Sequence, residues 1–198
     1  MEKVKLSEIA EIIGGQIMTR VKTDKPDEEG VVTKKVITPK AIEEYGIINK
    51  DELAEESVKD VIDENKFSHE GDIIIKLNTP FSCGLVTKET EDAIIPSFCA
   101  IIRIKKDITT QSLIPDYLLA YLNSSECRRQ IEKRVFTIVM SYGKLRDLEI
   151  PLPEIQMQHS IGMTYAETQF RVRTLKKIIE LEKKKNDALI SEVLKYER

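Results

Sequence analysis

The sequence predicts an α+β domain, with a mixed or antiparallel sheet and flanking helices, followed by one long C-terminal helix of the coiled-coil type. Two observations lead to this fold class. Short apolar runs, several of them β-branched, alternate with turn residues as far as Ile104, and helical patterns follow them. From Gln156 to Tyr196 one helical pattern then continues, with no proline and with Gly162 as its only glycine.

Length and charge limit what this chain can be. Its 198 residues fit one domain, predicted here as residues 1–150, plus an appended helix, predicted as residues 151–198. The net charge of −3 does not indicate a generally basic protein. Any surface that binds nucleic acid must therefore be a local one.

The cysteines and the absence of long apolar runs point to a cytoplasmic protein. Cys83, Cys99 and Cys127 are odd in number and lack CxxC spacing, which is typical of reduced, buried thiols. Residues Met1–Leu6 lack the apolar core of a signal peptide. No run reaches the roughly 18 apolar residues that a membrane helix needs.

The first half of the chain predicts one helix and several strands. Lys5–Ile13 carries a helical stripe, and Gly14-Gly15 is interpreted as its C-terminal cap rather than as a phosphate loop. Gln16–Lys22 reads as a strand or an extended loop. The further predicted strands are Val31–Thr38, Ser57–Val61, Ile73–Leu77 after a Gly71-Asp72 turn, Leu85–Thr87, and two short ones within Ala93–Ile104 broken at Pro96.

Helical signals dominate the second half. Pro115–Asn123 begins with a proline and carries leucines along one side, which predicts a helix. Ser124 or Ser125 can cap a second helix, in which Cys127, Ile131 and Val135 recur at helical spacing. Phe136–Ile150 is predicted as a loop followed by a strand.

A segment with two prolines, Leu145–Ile161, joins the domain to the long helix. Pro151 and Pro153 suit a strand end and a helix start, because proline lacks an N–H and fixes φ. Glu154 then lies in the first helical turn, where its charge suits the helix dipole. We interpret this segment as a rigid elbow that sets the angle between the domain and the helix.

The long helix carries a seam of residues at alternating spacings of three and four. The seam predicts pairing with another helix, from a second copy or from another protein, and the alternative is a helix that lies along its own domain. The seam residues are Ile161, Tyr165, Thr168, Val172, Leu175, Ile179, Glu182, Asn186, Leu189 and Val193. Of these, Thr168, Val172, Leu175, Ile179, Asn186, Leu189 and Val193 are predicted to mediate dimerisation.

No enzyme site is predicted. His69 and His159 are the only histidines and have no metal-ligand set or triad partners near them in the sequence. Asp72 precedes an apolar strand that ends at Lys76, as in some nuclease sites, but no second acidic-x-Lys segment completes such a site. We therefore expect no catalysis, no metal and no cofactor.

Several segments, taken in order, resemble the DNA-specificity (S) subunits of type I restriction–modification systems. They are Leu6–Gly15, Gly71–Leu77, Ile95–Arg103, Tyr117–Ser124 and Leu145–Ile161, the last with Ile150-Pro-Leu-Pro-Glu-Ile-Gln-Met-Gln158. Members of this family usually carry two recognition domains, each followed by a long helix. No internal repeat occurs here, so the chain resembles a half subunit with one domain and one helix.

The resemblance implies a non-catalytic subunit that binds double-stranded DNA. Its implied partners are a methyltransferase (modification) subunit, a restriction subunit recruited through it, and a second copy paired through the C-terminal helix. The elbow is expected to touch no DNA. The alternative is a degenerate half subunit that acts as an interaction or scaffold protein without binding DNA.

The candidate DNA contacts are cations for phosphates and polar groups for base edges. By resemblance, the loop after Lys76 and the segment Thr137–Lys144 would face DNA. Four cations within Arg128–Arg134 form a basic stretch, for which a solvated helix face is the alternative. The predicted residues are Arg20, Lys22, Lys34, Lys35, Lys76, Asn78, Thr79, Ser82, Arg128, Arg129, Lys133, Arg134, Thr137, Ser141, Tyr142 and Lys144.

Overall fold

A computed structural model describes residues 2–106, 108, 113–134 and 139–196, without the side chains of Arg134 and Tyr196. It combines strands, short helices and one helix of 42 residues. The elements are β1 (Glu2–Lys5), α1 (Leu6–Ile9), β2 (Ala10–Gly14), β3 (Val31–Val36), β4 (Ala54–Lys59), β5 (Ile73–Lys76), β6 (Cys83–Leu85), β7 (Cys99–Ile104), α2 (Pro115–Leu122), α3 (Ser125–Arg134), α4 (Tyr142–Arg146), β8 (Glu149–Leu152) and α5 (Ile155–Tyr196).

A four-stranded antiparallel sheet of order β2-β7-β5-β6 forms the centre of the domain. Strand β5 is buried on both faces, as its continuous isoleucine run predicted. Ile73 and Ile75 pack in a core with α2, α3 and the start of α5, whereas Ile74 packs in a second core beneath the loops after β3. The remaining strands form two ribbons, β1-β8 and β3-β4. The predicted α+β class with a long C-terminal helix is confirmed.

The N-terminal helix is much shorter than predicted. Only Leu6–Ile9 is helical, and Ala10–Gly14 forms β2 against β7. Ile12 and Ile13 pair with Ile102 and Ile101. The spacing of these residues also fits a helix, but the free energy gained by joining a buried sheet favours the strand.

Gly14 and Gly15 are therefore not a helix cap. The Gly15 amide donates to the Cys99 carbonyl at 3.2 Å, which extends the pairing of β2 with β7. A methyl group at Gly15 would lie 2.1 Å from the Pro96 carbonyl oxygen. Glycine is needed here because two backbones come too close together for any side chain.

Other predicted elements shift or change type. The strand expected at Ser57–Val61 is β4, Ala54–Lys59, and the one expected at Leu85–Thr87 is β6, Cys83–Leu85. Ala93–Pro96 forms isolated bridges, with Ile94 opposite Val36 and Phe67, instead of a strand. A helical turn, α4, stands where a loop was predicted, capped by the Ser141 side chain. Val135 and residues 136–138 lie outside the described residues.

The elbow is fixed by its side-chain contacts. Pro151 lies in β8 opposite Lys3 of β1, in a two-stranded ribbon that leaves an unpaired edge for the prolyl nitrogen. The predicted boundary at residue 150 therefore falls inside a strand. Gln158 is buried, where it accepts from the Ile114 amide and donates to the Pro153 carbonyl, each at 3.0 Å. The Tyr117 hydroxyl donates to the Pro151 carbonyl.

Helix α5 divides into a packed base and an exposed distal part. Its base lies against α2, where Gly162 approaches Asp116 and Tyr117 so closely that a methyl group would sit 3.0 Å from the Asp116 side chain. Farther along, Lys176 still forms a 2.6 Å ion pair with Glu43. Every residue from 177 to 195 is exposed. None of the described helices combines the length and the apolar composition that crossing a bilayer requires.

Candidate nucleic-acid interface

Two strands that run in the same direction end side by side at one end of the central sheet. Strands β2 and β5 both run antiparallel to β7, so both end where β7 begins. This end of the sheet brings together residues 14–17, 76–79, 97–98 and 139–144, which we call the strand-end surface. It brings together predicted contact residues from segments that are far apart in the sequence.

The segment before α4 is held on this surface by backbone pairing. The Met140 amide donates to the Leu77 carbonyl at 2.7 Å, and Asn78 and Val139 form an antiparallel bridge. Tyr142 then packs over Gly14, where an added methyl group would lie 2.9 Å from the phenol ring. Burial raises the pKa of Tyr142, and a hydrogen bond with the Gly15 backbone partly opposes that shift. Tyr142 therefore anchors α4 to β2.

Lys76 is the most distinctive cation of the strand-end surface. Its side chain is half-buried and has no acidic partner among the described residues. Burial lowers the pKa of its ammonium group. A phosphate would supply the counter-charge that the fold does not, because a partly desolvated ammonium gains from any anion that reaches it.

Polar and cationic groups surround Lys76. Asn78, Thr79 and Ser141 are exposed, and Lys144 is half-exposed. Among the described residues Lys144 has no ion pair. Arg20 lies outside this surface, in the 3₁₀ turn Met18–Arg20 that follows it, where it is exposed and also has no ion pair with the described residues. The surface thus combines cations without acidic partners with side chains that can hydrogen-bond to bases.

Ser82 does not belong to this surface. It is only 5% exposed, and it lies at the groove between α2 and α5. The turn through Phe81 carries the chain away from the exposed loop, so the predicted DNA contact at Ser82 is corrected to a buried position.

The predicted lysines in the β3-β4 ribbon, and Lys22 bridged to Val58 beside it, face acidic side chains. Lys22 forms a 2.6 Å ion pair with Glu56, and Lys34 forms one of 3.1 Å with Asp92. The Lys34 ammonium also lies 5.1 Å from the centre of the Phe67 ring. Lys35 stands directly opposite Glu55 across the ribbon. The charges of Lys22 and Lys34 are thus compensated within the domain, and Lys35 has an acidic residue as its cross-strand neighbour.

The basic stretch on α3 is divided. Arg129 pairs with Glu126 at 2.7 Å, and Arg128 lies at the edge of the α2–α5 groove. Lys133 is exposed near the end of α3. The side chain of Arg134 and the whole of Thr137 lie outside the described residues.

A groove of about 960 Å³ runs between α2, the start of α3 and the base of α5. Its apolar lining includes Tyr117, Ala120, Met157, Ile161 and Tyr165. Burial raises the pKa of Tyr117 to about 12, consistent with a phenol that stays neutral. The groove lies directly beside the N-terminal part of the predicted seam.

The predicted dimerisation residues fall into two groups. Thr168 and Val172 are half-buried at the base of α5, beside the domain. The distal ones are exposed: 58% for Leu175, 54% for Ile179, 52% for Leu189 and 60% for Val193. Asn186 is exposed as well.

Two exposed residues of the strand-end surface were not among the individually predicted contacts, although Val139 lies in the segment Thr137–Lys144 that the resemblance placed at DNA. Ile17 and Val139 are aliphatic, yet they are 41% and 58% exposed. In the sequence they resemble ordinary strand residues, and no local signal distinguishes them from core positions. Elsewhere, within the described part of the chain, no group of three histidine, cysteine or acidic residues is arranged to hold a metal ion.

Solved structures of S subunits share this fold. The HsdS subunit from Thermoanaerobacter tengcongensis matches with a TM-score of 0.60 and 16% identity, over 89% of this chain and 44% of that chain. A chain from a structural study of assembly and conformational transition in the type I R-M system gives 0.62 and 16%, over 89% and 44%. The type I restriction-modification S subunit from M. genitalium gives 0.57 and 15%, over 92% and 42%.

The chain therefore has the fold of a type I S subunit, as the sequence resemblance implied. It spans less than half the length of these proteins, which fits a half form. No protein-family model and no curated protein sequence matches the chain.

Proposed function

We propose that this protein is a sequence-specific DNA-recognition subunit, in half form, of a type I restriction–modification system. The observation that carries this proposal is the strand-end surface, where Lys76 is half-buried beside exposed polar side chains and has no counter-charge within the described part of the chain. Phosphate contacts at such cations fix a protein on the duplex, and polar groups beside them read base edges. The chain itself performs no chemistry in this role.

The proposed partners follow from the same role. The subunit acts in the cytoplasm and directs a methyltransferase subunit, and through it a restriction subunit, to its target. Two copies pair through α5, so that two strand-end surfaces address two half-sites of one duplex. The distal part of α5 supports this proposal, because its exposed apolar residues gain from burial against a second helix.

The order of the seam residues favours antiparallel pairing of the two copies. When the second helix runs antiparallel to the first and the pair is centred on Lys177, three pairs of apolar residues meet. They are Leu175 with Ile179, Tyr165 with Leu189, and Ile161 with Val193. The polar Thr168 and Asn186 then meet each other, and only Val172 opposes a charged residue, Glu182. A parallel pair in register would instead set two Glu182 side chains together in the seam, where like charges repel.

Antiparallel pairing also gives the α2–α5 groove an occupant. The distal end of one helix, with Leu189 and Val193 exposed, then lies along the base of the other helix beside Ile161 and Tyr165. The apolar lining of the groove and the apolar end of the helix are buried together. The two domains consequently stand at opposite ends of the paired helices.

DNA binding is tested with the full-length protein, alone and with its methyltransferase partner, on random and selected duplexes. We expect salt-sensitive binding that prefers particular sequences, since released counterions and base contacts both contribute. Equal affinity for every duplex, or no binding at low salt, would contradict the proposal.

The second candidate, a scaffold that pairs without binding DNA, is favoured by the net charge of −3 and by the compensated lysines of the ribbon. It predicts a dimer with no affinity for duplex DNA. Measuring both properties on one preparation separates the two candidates.

Dimerisation is tested with a matched pair of substitutions. Ile179→Asp places a charge in the seam and should give a monomer in light scattering. Leu181→Asp, at an equally exposed leucine outside the seam (55% against 54% exposed), should remain a dimer. A monomeric wild-type protein at micromolar concentration would overturn the pairing role of α5.

The orientation of the pair is tested by cysteine cross-linking. Thr168→Cys and Asn186→Cys proteins, mixed under oxidation, should form a disulfide-linked dimer between the two variants. Cross-linking of each variant with itself, and none between the two, would indicate parallel helices instead.

A further inference from the structure

An amide and an aliphatic side chain stand next to each other on the strand-end surface. Asn78 and Val139 are opposite residues of an antiparallel bridge. Opposite residues project from the same face, with Cβ atoms about 5 Å apart. Both side chains are exposed, Val139 by 58%. Side chains so placed can contact one base pair, or two adjacent ones, together.

The hydrogen-bonding groups of Asn78 are available to a ligand. Its backbone carbonyl accepts from the Phe81 amide at 2.8 Å, which fixes the turn, while its side chain makes no hydrogen bond with the described residues. A carboxamide offers an acceptor beside donors. In the major groove adenine presents the complementary pair, the N6 donor beside the N7 acceptor, whereas guanine presents two acceptors.

Val139 supplies the complementary apolar contact. An exposed valine beside an exposed amide gains by covering an apolar group, and the only such group on a major-groove base edge is the C5 methyl of thymine. Adenine and thymine pair with each other. An amide and a methyl-binding side chain side by side therefore fit the two halves of an A·T pair, or of neighbouring A·T pairs.

Lys76 sets the position of this pair on the duplex. It lies two residues before Asn78, and Leu77 between them is buried. Lys76 is paired with Cys99 in the sheet and Asn78 with Val139, so backbone pairing fixes the separation of the two residues from which a phosphate and a base would be contacted. Lys76 thus positions the protein by binding a phosphate, and Asn78, two residues later, contacts a base.

From these contacts we infer that Asn78 and Val139 are specificity-determining residues that select an A·T base pair in the half-site, with Asn78 bonding adenine and Val139 packing on the thymine methyl. The inference rests on the proposed function and adds to it a base class and two residue roles. It predicts that one A·T pair of the target contributes to binding affinity through the adenine edge, contacted by Asn78, and the thymine methyl, contacted by Val139.

Base analogues test this inference directly. Full-length protein first selects its preferred duplexes from a random library at low salt. Uracil then replaces thymine, which removes only the methyl, and 7-deazaadenine replaces adenine, which removes only N7. At one position wild-type affinity should fall about fourfold with uracil and about tenfold with 7-deazaadenine.

Three variants assign the losses to residues. Val139→Ala should lose the uracil effect and keep the 7-deazaadenine effect, and Asn78→Ala should do the reverse. Ile17→Ala, which shortens another exposed aliphatic side chain of the same surface, should keep both effects. Thermal unfolding of each variant checks that the fold is retained.

The outcomes separate this inference from the function it rests on. A selected sequence whose analogues have no effect on wild type, or whose effects persist in Asn78→Ala and Val139→Ala, overturns the A·T assignment alone. Recovery of no preferred sequence at all overturns the proposed function together with this inference.

Discussion

The strand-end surface and the β3-β4 ribbon both carry predicted DNA-binding lysines, but they differ in what surrounds those lysines. In and beside the ribbon Lys34 and Lys22 are paired with Asp92 and Glu56, and Lys35 faces Glu55. At the strand ends Lys76 has no acidic partner among the described residues, and burial lowers its pKa. A lysine whose charge is already compensated gains less from a phosphate, so the number of lysines alone does not locate an interface.

The largest expected contrast is between two alanine substitutions. Lys76→Ala should weaken duplex binding about tenfold for all sequences and reduce the slope of log affinity against log salt by about one. Lys35→Ala, the matched control on the ribbon, should change affinity by less than about twofold. Fluorescence anisotropy across a salt series measures both. Equal losses from the two substitutions would remove the distinction between the regions.

A smaller effect on DNA affinity is expected when Lys22, beside the ribbon, loses its acidic partner. Glu56→Gln leaves Lys22 without its 2.6 Å partner, so one more cation becomes available to phosphates. Affinity for random duplexes should rise about two- to threefold at low salt and return to the wild-type value at high salt. Unchanged affinity at every salt concentration would mean that the ribbon lies away from DNA.

The smallest effect concerns stability rather than binding. Burial lowers the pKa of Lys76, so the folded protein holds that proton less firmly than the unfolded chain does. The contribution of Lys76 to the free energy of unfolding therefore rises with pH between the lowered pKa and the ordinary value of 10.5. Lys76→Met should raise the melting temperature at neutral pH by about 2 °C and abolish that rise.

The matched substitution on the ribbon should act in the opposite direction. Lys34→Met removes the ion pair with Asp92 and the contact with the Phe67 ring, so it should lower the melting temperature slightly. Calorimetry at several pH values measures both proteins. If Lys34→Met instead raised the melting temperature, the ribbon lysine would destabilise the fold as Lys76 is expected to do.

Local signals carried much of the fold prediction. Strand β5, helix α2 and helix α5 were expected from an isoleucine run, from an N-terminal proline with leucines, and from a long stretch free of proline. The prediction of a helix over Lys5–Ile13 was wrong beyond Ile9, because the same apolar spacing also fits a short helix followed by a strand. Only the presence of Ile101 and Ile102 across the sheet decides between these structures.

The candidate site was less predictable than the fold. The sequence shows which residues are cationic, but not that Glu56 reaches Lys22 or that Ser82 turns inward to the α2–α5 groove. The resemblance placed the segment Thr137–Lys144 at DNA, but it did not single out Val139, whose neighbour on the surface is Asn78 from a distant part of the chain. Charge compensation and exposure are properties of neighbours in space.

The sequence by itself determined the long C-terminal helix, its seam and the isoleucine strand at the centre of the sheet. Helical hydrogen bonds and side-chain periodicity join residues close in the chain, so these features can be recognised locally. Only the tertiary structure decided where the DNA-facing candidates meet. Strands β2 and β5 are remote in sequence, and their ends share an edge because both pair with β7.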